Sequence, residues 1–167
     1  MAALKFILIF LASYICLQLG YTLYLEYYQP SIDPVSYYTA KVLVSLIEGA
    51  EMQEIIGKAK LQISINGVPC INILEACNGI SIGISLGAFL IAYRGTLKAY
   101  LWVTPSSIIA LFTANVIRIF ALVIVKQHAP SYFPFFHEYL FPAALYLFAF
   151  AIMVTWVKLH TKSYHID

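Results

Sequence analysis

Four apolar stretches constrain this chain more than any other feature: Leu4–Leu25, Cys77–Tyr93, Pro105–Val125 and Glu138–Val157 each hold at most one charged residue. Crossing a hydrocarbon layer roughly 30 Å thick takes about 20 helical residues. Three of the stretches have that length and the second falls short. Composition agrees, with 62% hydrophobic and 11% charged residues, against roughly 45–50% and 25% in soluble domains. A chain of 167 residues cannot bury so much apolar surface in a water-facing fold. Lipid can. The expectation is an all-α integral membrane protein, residues 1–167 forming a single membrane domain built on a bundle of about four transmembrane helices. Leu4–Leu25 is too long for a signal-peptide core and lacks a small-x-small cleavage site, so it reads as a retained anchor.

Charges orient the bundle. Lys5, Arg94, Lys98, Lys158 and Lys162 flank the four stretches on one side. Basic residues near span ends mark the cytoplasmic side, so both termini are expected inside a cytoplasmic (inner) membrane. The loop of residues 26–76 and the Lys126–His137 loop then face outward. The net charge of +2 and the lack of a Lys/Arg cluster point away from nucleic acid. In Pro105–Val125, Thr104 reads as the N-cap and Pro105 as a first-turn residue.

The outer loop has structure of its own. Asp33-Pro34 reads as a helix start, followed by Val35, Tyr38, Val42, Leu46 and Ile47 at helical spacing. Lys41 and Glu48 interrupt that pattern, which suits an outer-face amphipathic helix better than a fifth span. Leu61, Ile63 and Ile65 then alternate with polar neighbours up to Asn66-Gly67, with Val68, Ile71 and Ile73 beyond it. Asn-Gly between such runs predicts a small β-hairpin, which delivers the chain to Cys77.

Cysteine in a membrane core is ordinarily a small buried hydrophobe. Cys77 differs because it opens an apolar helix, where free N–H groups favour a thiolate, and because Glu75 and Asn78 flank it. Gly79, Gly83 and Gly87 follow at helical spacing and read as packing positions that admit close neighbours. Arg118 stands alone in an apolar run, about 10 Å below its outer end at Val125, where a charge is costly. Either it snorkels or pairs, with Glu75 for instance, or it serves chemistry; Asn115, one turn earlier, is placed to orient it. His137 opens the last stretch, with His128 as its rival in the same loop, whereas His160 and His165 fall on the inner side. Cys16 and Cys70 complete an odd set of three cysteines without zinc-ligand spacing. One charge-derived topology brings Cys77, Arg118 and His137 to the outer face from three helices. A thiol acyl transferase needs a thiolate, a proton donor and a group that holds the oxyanion.

Glu75-Ala76-Cys77-Asn78-Gly79-Ile80, Asn115-Val116-Ile117-Arg118-Ile119 and His137-Glu138 resemble, in order, the Cys, Arg and His motifs of the exosortase/archaeosortase family. In size the chain is similar to the short exosortase F type of Bacteroidetes. The resemblance covers Glu75 to about Val157. It implies a membrane-embedded cysteine transpeptidase with Cys77, Arg118 and His137 catalytic and Glu75, Asn78 and Asn115 supporting, and with no metal or organic cofactor. Its partner is a client protein ending in a short motif, a transmembrane helix and a basic tail, which is cleaved and passed to a surface acceptor. Asn78 stands where many members carry Ser, and the chain is shorter than members with around eight spans. Two other classes fit the composition: a non-enzymatic subunit or scaffold of an export or assembly complex, and a small transporter with Arg118 as an anion site. Against the transporter, no inverted repeat is visible.

Overall fold

The computed structural model describes residues 2–55, 57–93 and 95–161. Arg94, Lys162 and His165 lie outside the described residues. The chain runs α1 (Ala2–Tyr28), α2 (Pro34–Leu46), β1 (Ala50–Ile55), β2 (Lys60–Ile65) and β3 (Val68–Ile73), then a single 3-10 turn (Glu75–Cys77) and α3 (Ile80–Ala92). It continues through α4 (Leu97–His128), a 3-10 turn (Pro130–Tyr132), the one-turn α5 (Phe133–Phe135), a π turn (Phe136–Leu140) and α6 (Phe141–Thr161).

Among the described residues, three helical segments are long and apolar enough to cross a membrane: Ala3–Tyr28, Leu97–His128 and Pro130–Leu159. The expected fourth span, residues 77–93, is instead the 13-residue helix α3, about 20 Å long at 1.5 Å per residue. Its start is set by Gly79, whose φ of +77° is left-handed and stops helix from extending back to Cys77. The helix nonetheless runs along α1. Asn78 Nδ2 donates to the Tyr21 hydroxyl at 3.0 Å near one end, and Phe89 meets Phe6 edge-on, with centroids 5.8 Å apart, near the other. Aromatic donors close its far end: the Tyr100 hydroxyl donates to Leu90 O at 2.7 Å, and Trp156 Nε1 to Tyr93 O at 3.0 Å. Carbonyls left bare in an apolar setting are costly, and these two donors satisfy two of the last ones of α3.

The third stretch is longer than expected. α4 begins at Leu97, and its cap is Thr96, whose hydroxyl accepts from Ala99 N at 3.3 Å. Thr104 is therefore not the N-cap, and Pro105 lies inside the helix. The Ser106 hydroxyl donates to Trp102 O at 2.7 Å, one turn back on the same helix. The last segment also starts earlier than Glu138. The Phe141 N–H reaches back five residues to Phe136 O, a wide turn that precedes Pro142, which has no N–H to offer.

The region between α1 and α3 folds against the bundle end where α1 and α4 finish and α3 begins. Asp33 caps α2, accepting from Val35 N at 3.0 Å and Ser36 N at 3.1 Å. The helix packs through a small-residue face, burying Ser36, Thr39, Ala40 and Leu43. Its apolar stripe points away: Tyr38 is 58% and Leu46 59% exposed. The hairpin is β2 and β3 of a three-stranded antiparallel sheet ordered β1-β2-β3. Asn66 and Gly67 turn it with φ of 51° and 77°, as an Asn-Gly turn does. Leu61, Ile63, Ile71 and Ile73 pack with Ala40, Leu43, Ile119 and Val123 in one core, which fixes the sheet against α2 and α4.

Candidate active site

Cys77 is the last residue of the 3-10 turn, half-buried, and its N–H donates to Leu74 O at 2.8 Å. It does not open α3, because Asn78 and the left-handed Gly79 come between, so the helix terminus is not what would favour its thiolate. What lies beside it is a cavity of about 240 Å³ lined by Cys77, Arg118, His137, Cys70, Lys126 and Phe133, together with β3 and neighbouring α4 residues. Cys77, Arg118 and His137 thus come together from the 3-10 turn, α4 and the π turn.

Asn115 joins two of these groups. It is 1% exposed; its Nδ2 donates to the Cys77 carbonyl at 2.7 Å, and its Oδ1 accepts from Arg118 Nη1 at 3.3 Å. Among the described residues, the buried Nε of the guanidinium has no hydrogen-bond partner. With α4 extending to His128, Arg118 lies about 15 Å from the helix end at 1.5 Å per residue, deeper than the end at Val125 implied.

Asn78, 4% exposed, faces elsewhere. Besides Tyr21 it donates to Ser36 Oγ at 3.5 Å, and its own Oδ1 accepts from Ile80 N at 2.9 Å. It ties α1, α2 and α3 together behind the Cys77 turn. Glu75 lines a separate cavity of about 290 Å³ with Asp33 and Lys58, away from Arg118. His128 is exposed and contacts Ile124 O at 3.1 Å, one turn back on α4.

Three members of the cavity were not singled out as site residues in the sequence. Phe133 stacks on His137 with centroids 5.5 Å apart and 16° between planes, so it sets the imidazole's orientation. Lys126 Nζ lies 5.1 Å from the Phe133 centroid. Both had a signal: Phe133 precedes His137 by four residues, and Lys126 follows Arg118 by two helical turns. Cys70 enters the cavity from β3. Burial pushes its thiol pKa up, with Lys126 opposing, which makes it a poorer thiolate than an ordinary cysteine.

The family model described as transmembrane exosortase matches residues 1–157. No curated protein and no solved structure matches the chain.

Proposed function

The chain belongs to the transmembrane exosortase family, and on that premise we propose that it is a membrane-embedded cysteine transpeptidase with Cys77 as nucleophile. The observation that carries this reading is the shared cavity of Cys77, Arg118 and His137. The size of the chain and its three ordered motifs favour the short exosortase F type. The site faces the outside and both termini are cytoplasmic, in keeping with Lys5, Lys98 and Lys158 near the opposite helix ends. The apolar stripe of α2 rests on the outer interface.

The client is an exported protein whose C-terminal sorting signal holds a short motif, a transmembrane helix and a basic tail. Its helix enters laterally and sets the scissile bond at the cavity. The Cys77 thiolate adds to the carbonyl carbon, and the negative charge moves onto oxygen. Collapse breaks the C–N bond and leaves a thioester on Cys77, while His137 protonates the departing amine. His137 then takes a proton from the acceptor nucleophile, which releases the client from Cys77 onto a surface acceptor. Arg118 supplies the positive charge that holds the thiolate before attack and the oxyanion during it, oriented by Asn115.

The test is precursor accumulation in cells that carry the client and single variants of this chain at matched membrane abundance. Cys77→Ala abolishes processing, while Cys16→Ala and Cys70→Ala retain it. Normal processing by Cys77→Ala removes thiol catalysis and leaves the scaffold reading.

A further inference from the structure

β3 is an edge strand: it pairs with β2 on one side, and no other strand of the sheet lies beyond it. Four of its six residues, Cys70–Ile73, line the cavity that holds Cys77. Successive side chains of a strand point to opposite faces, so a cavity bounded by consecutive residues meets the strand at its edge rather than on one face. An edge strand turns backbone N–H and C=O groups away from its partner. Among the described residues, no backbone group of β3 bonds to backbone outside the sheet.

The register supports the same point. Ile63 pairs with Ile71 and Ser64 with Pro69, so Cys70 is an extra residue, a bulge. Bulges concentrate at sheet edges and beside active sites, where they re-aim the chain. Pro69 ends the donor-bearing part of the edge, because proline has no N–H. What remains is a short row of backbone donors and acceptors that leads along β3 towards the 3-10 turn carrying Cys77.

The geometry points to β3 as the substrate-binding edge: an extended segment of the client pairs with it as an added fourth strand and so sets the scissile carbonyl against Cys77. This rests on Cys77 as nucleophile and adds the way the peptide is held. Extended backbone is the one chemistry that complements a row of alternating main-chain donors and acceptors. Recognition by the edge therefore fixes register and direction with little demand on side chains.

The test uses the full chain, as Cys70→Ser, in lipid nanodiscs. The probe is acetyl-trialanine chloromethyl ketone, whose C–Cl bond breaks as the Cys77 sulfur forms a C–S bond and chloride leaves. The probe is compared with versions N-methylated at each amide in turn and with chloroacetamide, which has no peptide to pair. Labelling at Cys77 is followed by mass spectrometry. We expect N-methylation of at least one amide to slow labelling threefold or more, the scale of one lost hydrogen bond. We also expect the peptide adduct, unlike the chloroacetamide adduct, to slow amide exchange in β3. An N-methyl effect below threefold at every amide, with chloroacetamide still labelling Cys77, overturns strand pairing alone. An N-methyl effect without protection in β3 overturns β3 as the edge. Failure of every reagent to label Cys77 overturns this inference together with the reading beneath it.

Discussion

The Asn115 side chain donates a hydrogen bond to the Cys77 carbonyl at 2.7 Å. Its other end accepts from Arg118 Nη1 at 3.3 Å, so one buried amide fixes the distance between the thiol-bearing turn and the cation. Asn115→Leu keeps the branching at Cγ and removes both bonds. A buried carbonyl without its donor costs about 1–3 kcal/mol, and Arg118 loses its orienting partner as well. Precursor processing is expected to fall at least about tenfold while the protein still inserts, read by immunoblot at matched abundance.

Gly79 and Gly83 look alike in sequence and differ in the fold. Gly79 has a φ of +77°, and a Cβ built there would lie 3.3 Å from Asn115 Cγ, whereas a Cβ at Gly83 meets nothing within 4 Å. Left-handed backbone costs a non-glycine residue about 1–2 kcal/mol, and the contact would push on Asn115. Gly79→Ala is expected to lower both the thermal stability of the purified protein and client processing. Gly83→Ala should leave both near wild type. Thermal unfolding in detergent, paired with the processing assay, separates the two.

Much of this architecture was legible in the sequence where local chemistry decides it. Asn66-Gly67 is a turn whatever surrounds it, and Asp33 beside Pro34 is a helix start. Long-range packing decided the rest. β1 carries Glu51, Gln53 and Glu54, so its strand character comes from pairing with β2 rather than from an apolar pattern. The face α2 turns to the fold, Ser36, Thr39, Ala40 and Leu43, lies off its apolar stripe and is mostly small, so no apolar pattern marked it. Thr104-Pro105 has the form of a helix start, but Thr96 caps α4 two turns earlier and the helix runs through. Cys77, Arg118 and His137 could be named because each is costly or unusual in an apolar setting. Phe133 and Lys126 had only their helical spacing from His137 and Arg118 to mark them, since an aromatic or a lysine near a span end is ordinary there.

The lysines that flank the apolar stretches also predict a topology. Reporter fusions after Lys58 and after Lys98 are expected to read opposite compartments, with Lys58 outside. The same compartment for both would remove the outward-facing site.

Arg118→Lys is expected to be nearly as damaging as Arg118→Ala. Guanidinium stays charged when desolvated and offers a planar fork, one arm of which Asn115 already holds. An ammonium at this depth loses charge readily or snorkels away from Cys77. The readout is precursor accumulation in both variants with membrane levels checked, and near-normal processing by Arg118→Lys would reduce Arg118 to an interfacial anchor.

Thiol catalysis requires a covalent bond between the client and Cys77. Acid quench of membranes during processing, followed by proteolysis and mass spectrometry, reads it directly. The expected product is a peptide of this chain containing Cys77 that carries the client's new C-terminus as a thioester, released by neutral hydroxylamine and missing in Cys77→Ala. Cleavage that proceeds at the wild-type rate in Cys77→Ala, with no such adduct in the wild type, would contradict it.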